Sequence, residues 1–385
     1  MIYLDNAATT WPKPRSVLQA MGKAVTRFGA NPGRSGHGMS IRAAEEIYRC
    51  RVSAAEMFHC GCPECVIFTP NCTCSVNMVL KGLLKKGDHV VCSDLEHNAV
   101  MRPLEALREQ GITYTQAAVT EGDNDATVDA FRKALRSSTA LVICNHASNV
   151  TGVRLPVERI AALSRFYQIP FALDCAQSAG VLPIDMEESG IDFLCAAGHK
   201  GLYGPMGTGL LLCKKGISLK TIVEGGTGTG SADYRQPEEL PERFESGTQN
   251  LPGICGLREG LRFVQQRGID TIRRHEMRLM QTAYDGLSRL PAVHLYSRRP
   301  AEGVHVPVLS FNVEDQDSET VGKLLWQRGI AVRAGLHCAP SAHRKIGTTE
   351  QGTVRICPSA FTTEGEIRKF VQIVSEVTKM LQNRF

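Results

Sequence analysis

Residues 196–205 have the sequence AAGHKGLYGP, which places a lysine, Lys200, in a polar, glycine-rich loop between two apolar strands. A lysine in such a loop is often only a solvated residue. A partly desolvated lysine is, however, also what Schiff-base chemistry requires. The neighbouring segments decide between these two interpretations.

Short apolar runs alternate with helical patterns around this loop. Buried strands are predicted at 65–69, 89–92, 140–144, 170–173 and 209–213. Helices are predicted at 75–84, 101–110, 128–136 and 156–167. The alternation predicts an α/β fold whose mainly parallel sheet is covered on both faces, and ligands then belong at the carboxyl ends of the strands.

The pattern changes from about Asn250 onwards. A long helical segment is predicted to reach about Leu290, followed by strands near 306–313 and 331–333 and a terminal helix at 363–382. We therefore expect a smaller α+β domain at this end of the chain.

One strand before the lysine loop, the sequence FALDCAQS at 171–178 ends an apolar run with an acid, Asp174. Such a carboxylate can keep a pyridine nitrogen protonated, which makes a cofactor ring an electron sink. It can equally be a helix N-cap. Gln177, three residues later, can donate to a ring hydroxyl.

Two other strand ends carry polar side chains of the kind a cofactor needs. The sequence SDLEHN at 93–98 offers the flat imidazole of His97, and FTPNCT at 68–73 leads into the helix predicted near Ser75. Backbone N–H groups at a helix N-terminus favour a phosphate dianion, and Thr73 can add a hydroxyl. Each segment taken alone can also be ordinary helix capping.

Together, the lysine, acid, histidine and phosphate segments resemble the fold-type I, class V aminotransferase family in order and spacing. The resemblance runs from YLDNAATT at 3–10 to GTVRI at 352–356, and it is greatest to the cysteine desulfurase and selenocysteine lyase branch. It implies a PLP-dependent transferase fold, α/β, with a mainly parallel sheet of the seven-stranded type and a smaller α+β domain. The implied cofactor is pyridoxal 5′-phosphate (PLP).

The resemblance also implies a division of the chain into three parts. Residues 1–15 would be an N-terminal segment that packs with the small domain. Residues 16–255 would be the large PLP-binding domain, and residues 256–385 the small C-terminal domain that carries the Cys338 loop.

Cofactor-binding roles follow from the same resemblance. Lys200 would bond to the cofactor aldehyde and act as the catalytic base, Asp174 would contact the pyridine nitrogen, and Gln177 the ring oxygen. The ring of His97 would stack on the cofactor. The positions that match phosphate-binding residues are Cys72, Thr73 and His199.

Three further residues are matched to binding roles. Thr248 resembles a threonine that reaches the phosphate of the neighbouring subunit, which implies a homodimer with shared active sites. Asn149 and Arg355 resemble the residues that hold the substrate α-carboxylate, a task that suits the planar fork of arginine.

One position departs from the family pattern. Ala197 stands where relatives commonly carry a serine or threonine hydroxyl that faces the phosphate. The loss of a hydrogen bond to a charged group costs about 1.5–3 kcal/mol at most, so we expect weaker cofactor binding but not its absence.

The segment VRAGLHCAP at 332–340 bears on the reaction. A free cysteine is often only a small buried hydrophobe, but relatives with this Arg-x-Gly-x-His-Cys arrangement use the cysteine as a nucleophile. Arg333 would then help to place the substrate or the loop, and Arg333 and His337 are expected to stabilise the thiolate of Cys338.

The resemblance therefore implies a cysteine desulfurase. L-Cysteine would give L-alanine and a persulfide on Cys338, and the sulfur would pass to an acceptor, which can be a protein. L-Selenocysteine is an alternative substrate.

Composition excludes several other classes of function. The chain of 385 residues carries 44 Lys and Arg against 39 Asp and Glu, without a long single-sign block, so nucleic-acid binding is not indicated. We find neither a secretory signal nor an apolar run of membrane-spanning length, and we expect a cytoplasmic protein.

The cysteines need a separate interpretation. Without an export signal, the 14 cysteines are expected to be thiols rather than disulfides, and Cys144, Cys195 and Cys213 are predicted to be buried. The Cys62-x-x-Cys65 spacing fits one half of a zinc site, but no second half follows, so no metal is expected.

Two alternatives remain open at this stage. One keeps the fold and changes the reaction to that of an aminotransferase, an epimerase or a C–S lyase acting on another amino acid. The other is a non-catalytic, cysteine-rich sulfur carrier or metal-binding protein on the same scaffold.

Overall fold

The computed structural model describes residues 1–33, 35–314 and 316–382. In chain order, the first elements are β1 (Ile2–Tyr3), α1 (Arg15–Phe28), α2 (Gly38–Met57), β2 (Val66–Thr69), α3 (Cys72–Leu83), β3 (His89–Ser93), α4 (Asn98–Arg108), β4 (Thr113–Ala117), α5 (Asn124–Ala134), β5 (Thr139–Asn145), α6 (Val157–Phe166), β6 (Phe171–Asp174), α7 (Met186–Ser189), β7 (Phe193–Ala197) and β8 (Gly209–Cys213).

The second part of the chain begins with two consecutive helices. The elements are α8 (Leu251–Arg267), α9 (Ile269–Leu287), β9 (Val293–Leu295), β10 (Leu309–Val313), α10 (Ser318–Gln327), β11 (Ile330–Ala331), β12 (Arg333–Gly335), α11 (Pro340–Ile346), β13 (Thr353–Ile356) and α12 (Glu364–Gln382). Short 3₁₀ turns occupy Pro63–Cys65 and Glu242–Phe244.

The central sheet has seven strands in the order β2-β8-β7-β6-β5-β3-β4. Only β8 runs antiparallel to its neighbours, and the other pairs are parallel. Every residue of β3 and β6 is buried, as expected for strands covered by helices on both faces. The predicted α/β fold with a mainly parallel sheet is confirmed.

A second, antiparallel sheet has four strands in the order β12-β13-β10-β9. The N-terminal strand β1 pairs in parallel with β11, so the first residues of the chain pack against this C-terminal part. Its apolar core, which includes Phe311 and Phe370, forms a cluster of its own. These features support the proposed division at residues 15 and 255, which stays a prediction.

The long helical segment predicted after Asn250 consists of two helices, α8 and α9. Gly268, with φ of 82°, ends α8 and begins α9, and its N–H group donates to the carbonyl oxygen of Val264. Glycine adopts this left-handed backbone without the steric penalty of other residues. The sequence does not indicate this break, because buried apolar residues recur at helical spacing in both α8 and α9.

The predicted burial of Cys144, Cys195 and Cys213 is confirmed, since all three are at most 2% exposed. Among the described residues, no helix combines the length and apolarity that a membrane span requires. In the same parts of the chain, no group of three or more His, Cys, Asp or Glu side chains is arranged to hold a metal ion.

A substitution at Gly180 can test how closely the loops after β6 and β7 pack against each other. It has φ of 78°, and a Cβ atom there would overlap the carbonyl oxygen of Gly201, beside Lys200. Gly180→Ala should lower the free energy of unfolding by about 2–4 kcal/mol, from backbone strain and overlap together. Gly303→Ala is the matched control, because Gly303 has the same φ but nothing within 4 Å of its added Cβ. Equal losses for the two variants in urea unfolding would contradict the packing argument.

Candidate active site

A cavity of about 220 Å³ lies at the carboxyl ends of the central strands. Its lining includes eight of the residues that the sequence predicts for the site, namely Cys72, Thr73, His97, Asn149, Asp174, Gln177, His199 and Lys200. Arg333, Cys338 and Arg355 approach from the C-terminal part of the chain, and Thr248 lies elsewhere.

The convergence follows from the strand register. Asn145, Asp174 and Ala197 are the last residues of β5, β6 and β7, and Asn145 is the direct neighbour of Asp174 in the parallel pair. Parallel strands end at the same edge of a sheet, so these side chains and the loops after them share one cavity.

The Lys200 loop is held from outside by the N-terminal segment. Thr10 Oγ1 donates to the carbonyl oxygen of Lys200 at 3.0 Å, and Lys13 Nζ donates to that of His199 at 2.6 Å. Burial, together with the nearby charge of Arg355, lowers the pKa of Lys200. The amine is therefore neutral, and nucleophilic, at a lower pH than an exposed lysine would be.

Asp174 is buried, and the hydrogen bonds described for its carboxylate fall on one oxygen. Its Oδ1 accepts hydrogen bonds from the backbone N–H of Ala176 at 2.9 Å and from Cys72 Sγ at 3.4 Å. No helix starts here, so the alternative role of Asp174 as a helix N-cap does not apply. Cys72, predicted from the resemblance to contact a phosphate, thus has its thiol directed to the carboxylate.

His97 is the N-cap of α4. Its Nδ1 accepts the backbone N–H of Ala99 at 2.9 Å, so the proton of the neutral ring is on Nε2. Burial lowers the pKa of His97 to about 4. A neutral, fixed imidazole at the cavity wall suits the predicted stacking role.

Beneath His97, Glu96 joins two strand ends. Its Oε1 accepts from the backbone N–H of Asn145 at 2.9 Å and from the hydroxyl of Ser93. Burial raises the pKa of Glu96 to about 8, so the group is mostly protonated at neutral pH. Glu96 thereby fixes the backbone position of His97. The sequence indicates the segment 93–98 for His97 but does not predict this role of Glu96.

The N-terminus of α3 forms the third wall. The helix starts at Cys72, three residues before the predicted start near Ser75, because Asn71 caps it by accepting the N–H of Cys74 at 2.9 Å. Asn71, Cys72 and Thr73 line the cavity, where the unpaired N–H groups of a first helical turn favour an anion.

This set of donors fits PLP group by group. The aldehyde requires an amine, the pyridine nitrogen a carboxylate and the phosphate a cluster of N–H donors, and Lys200, Asp174 and the start of α3 provide them. His199 Nδ1 is buried and has no hydrogen-bond partner among the described residues, as expected for a group that awaits a polar ligand. Ala197 also lines the cavity and adds no hydroxyl.

Gln177 and Asn149 line the cavity, and the side-chain amide of each already makes one hydrogen bond within the protein. Gln177 Nε2 donates to the carbonyl oxygen of Ala7 at 3.1 Å, and Asn149 Nδ2 donates to that of His337 at 2.7 Å. Each amide nitrogen keeps a second proton, and Asn149 Oδ1 is buried without a partner in the described part of the chain.

Arg333 and Arg355 stand side by side. They are direct cross-strand partners of β12 and β13, so both side chains leave the same face of the sheet. Arg355 is buried, donating to Asp5 Oδ1 at 3.1 Å and to the carbonyl oxygen of Asn149 at 3.0 Å, and its Nε has no partner in the described structure. Two like charges in this position repel each other, and a bound carboxylate relieves the repulsion.

The Cys338 loop joins β12 to α11 in a strained conformation. His337 and Cys338 have φ of 48° and 58°, a left-handed backbone that is rare for residues other than glycine. The Cys338 carbonyl oxygen accepts the N–H of Asn98 at 2.7 Å, which anchors the loop beside His97. The thiol is exposed, and Arg333 Nη2 lies 3.6 Å from Cys338 Sγ.

The expectation that His337 supplies positive charge to this thiol is wrong. Its ring is buried and its Nε2 is hydrogen-bonded to Thr353 Oγ1 at 3.0 Å. Burial, with the nearby charge of Arg355, lowers the pKa of His337 to about 2, so the ring stays neutral. Arg333 is left as the cation that contacts the sulfur.

Thr248 does not line this cavity. It lies in a neighbouring one of about 460 Å³, together with Phe68, Phe244 and Ile254. Its predicted contact with a phosphate across a dimer interface stays a prediction.

Comparisons with known proteins agree with this geometry. The model of the family described as aminotransferase class-V matches residues 2–370. A protein named probable cysteine desulfurase from Methanothermobacter thermautotrophicus is 32% identical over 98% of this chain and 95% of its own length. A second protein of that name, from Pyrococcus abyssi, is 32% identical over 100% of this chain and 96% of its own.

Among solved structures, the apo structure of cysteine desulfurase from Thermococcus onnurineus NA1 superposes with a TM-score of 0.91. It is 31% identical in sequence, and the match covers 98% of this chain and 94% of that one. The chain therefore belongs to the aminotransferase class-V family of PLP-dependent enzymes.

Proposed function

We propose that the protein is a cysteine desulfurase. It converts L-cysteine and the thiol of Cys338 into L-alanine and a persulfide on Cys338, so the sulfur atom leaves the substrate and no external oxidant is needed. The relatives named cysteine desulfurase support this reaction. Because selenium is also a chalcogen on Cβ, L-selenocysteine is a second substrate.

When bound, PLP supplies an electron sink that stabilises negative charge at the substrate Cα. Lys200 removes the Cα proton and returns a proton in the step that forms alanine. Its lowered pKa supports this role, since a neutral amine is needed to accept the proton. Asp174 would hold the pyridine nitrogen, and His97 would cover the ring.

Arg355 and Arg333 orient the substrate by its α-carboxylate. Their cross-strand pairing places two guanidinium groups on one face, and the unpartnered Nε of Arg355 supplies a further donor. Asn149 contributes its second amide proton to the same carboxylate.

The single observation that carries the proposal is the position of the Cys338 thiol. It is exposed, lies 3.6 Å from a guanidinium nitrogen of Arg333, and sits in a loop whose backbone is bonded to the start of α4 beside His97. The guanidinium group donates a hydrogen bond to the sulfur and so helps to hold the nucleophile in place. An aminotransferase or epimerase would have no chemical need for a thiol here.

For the wider assembly, we infer the arrangement that the resemblance implies. The protein acts as a homodimer in which Thr248 of each subunit completes the phosphate site of the other, and it works in the cytoplasm. The persulfide of Cys338 is passed to an acceptor, for which the exposure of the loop leaves room.

The test is turnover of the holoenzyme with L-cysteine, cysteine sulfinate and L-selenocysteine, each with and without a thiol reductant. We expect alanine and sulfide in equal amounts with L-cysteine and reductant. Without reductant, we expect a burst of about one alanine per active site, because the persulfide stays on Cys338. Pyruvate and ammonia as products would instead identify a C–S lyase and overturn the proposal.

A further inference from the structure

A second group of thiols lies at the far end of β2 from the cavity. Cys60, Cys62 and Cys65 occur in the sequence CGCPEC at 60–65, between α2 and β2. Both β2 and β7 pair antiparallel with β8, so they run in the same direction, and Thr69 at the carboxyl end of β2 is on the cavity side. Cys65 precedes the amino end of β2 and is therefore outside the proposed active site.

The backbone holds Cys62 and Cys65 in one tight turn. The N–H of Cys65 donates to the carbonyl oxygen of Cys62 at 3.1 Å, which closes the 3₁₀ turn. Pro63 fixes its own φ, and Cys62 before it is extended, with φ of −146° and ψ of 118°. Such a turn brings the two Cα atoms within about 7 Å of each other, and disulfides need about 4.4–6.8 Å.

The two thiols differ in their access to solvent. Cys62 is half-buried, whereas Cys65 is 2% exposed. Burial raises the pKa of Cys65 to about 12, and the neighbouring Cys62 and Cys60 contribute. Cys62 Sγ donates a hydrogen bond to Glu64 Oε2 at 2.9 Å, and this bond lowers the pKa of Glu64.

We propose that Cys62 and Cys65 form a thiol–disulfide exchange site whose substrates are low-molecular-weight disulfides. Cys62 gives up its proton to solvent and attacks one sulfur of the disulfide, which releases one thiolate and leaves a mixed disulfide on Cys62. Cys65 then attacks Cys62 Sγ, and the second thiolate leaves with the proton of Cys65. One small disulfide is reduced to two thiols as the protein dithiol is oxidised to a disulfide.

Cys60 is the alternative partner, and its contacts argue against it. Its Sγ faces the carbonyl oxygen of Cys62 at 3.9 Å, it is 6% exposed, and burial raises its pKa. No turn hydrogen bond joins its backbone to that of Cys65 in the way that one joins Cys62 to Cys65. We therefore assign the pair to Cys62 and Cys65.

The experiment equilibrates the holoenzyme with mixtures of reduced and oxidised glutathione, blocks free thiols with an alkylating agent, and digests with a glutamyl endopeptidase. Cleavage after Glu64 places Cys62 and Cys65 on different fragments, and tandem mass spectrometry of linked fragments identifies which cysteines are joined. A tenfold change in the ratio of squared glutathione to glutathione disulfide should change the ratio of linked to unlinked fragments about tenfold. If a single cysteine were only glutathionylated, the ratio of modified to free thiol would instead be proportional to the ratio of glutathione disulfide to glutathione.

Three variants test the assignment. Cys65→Ser should trap glutathione on Cys62, Cys62→Ser should leave Cys65 unmodified because it is buried, and Cys60→Ser should form the linked fragments as the wild type does. Because mass spectrometry locates the link in the wild-type digest, the wild type alone decides between Cys60 and Cys62 even if a variant does not fold. Free Cys62 and Cys65 at every glutathione ratio, or loss of the link in Cys60→Ser, would overturn the proposal.

Discussion

Replacement of Cys338 by alanine should lower alanine formation from L-cysteine by about a hundredfold or more, because the substrate sulfur loses its acceptor. PLP should remain bound, since Cys338 does not line the cavity that holds Lys200 and Asp174. The measurement is alanine production per active site, together with the visible absorbance of the bound cofactor. Activity with L-selenocysteine should fall less, because a selenium leaving group needs less nucleophilic assistance.

The control for this variant is Leu336→Ala in the same loop. Leu336 is 39% exposed, so its truncation removes loop surface without removing a thiol. Its alanine production should stay near that of the wild type. Unchanged turnover in the Cys338 variant would refute the assigned nucleophile, whereas an equal loss in both variants would point to a disturbed loop instead.

Replacement of Lys200 by alanine should have the largest effect of all. The variant lacks the amine that bonds to the cofactor aldehyde and moves the Cα proton, and general-base loss alone typically costs about a thousandfold. Borohydride treatment followed by digestion should fix PLP on residue 200 in the wild type and leave no covalent cofactor in the variant. Noncovalent PLP can still be retained through Asp174 and the start of α3.

Lys215→Ala provides the matched control, because this lysine is exposed and remote from the cavity. Its borohydride product and its turnover should equal those of the wild type. Recovery of the fixed cofactor at any other lysine of the wild type would show that Lys200 has been assigned incorrectly.

Much of the central sheet could be predicted from the sequence because its strands are uniformly apolar. β8 was predicted with its observed bounds, and the other predicted strands differ from the observed ones by one or two residues. β4 was missed, since TYTQA at 113–117 is polar and only partly buried. Helices α1 and α2 were also missed, because their buried residues form narrow stripes in polar sequence.

The cavity residues could be predicted because each follows an apolar strand. Lys200, Asp174 and His97 are all polar residues at or just after a strand end, where chain topology brings them together. The roles of Cys338 and Arg355 came from resemblance instead, as nothing in their local pattern ties them to the central sheet.

The remaining site features depend on contacts that no sequence pattern reveals. Asp5 pairs with Arg355 across 350 residues, and the neutrality of His337 follows from its burial. The helix break at Gly268 could not be predicted either, because an isolated glycine in a periodic segment does not by itself indicate a positive φ.

The first residues of the chain have a practical importance for anyone who purifies the enzyme. β1 is paired with β11, Asp5 holds Arg355, and Thr10 holds the Lys200 loop, so one short stretch touches both the proposed carboxylate site and the reactive amine. Loss of this stretch to a protease would remove both contacts at once.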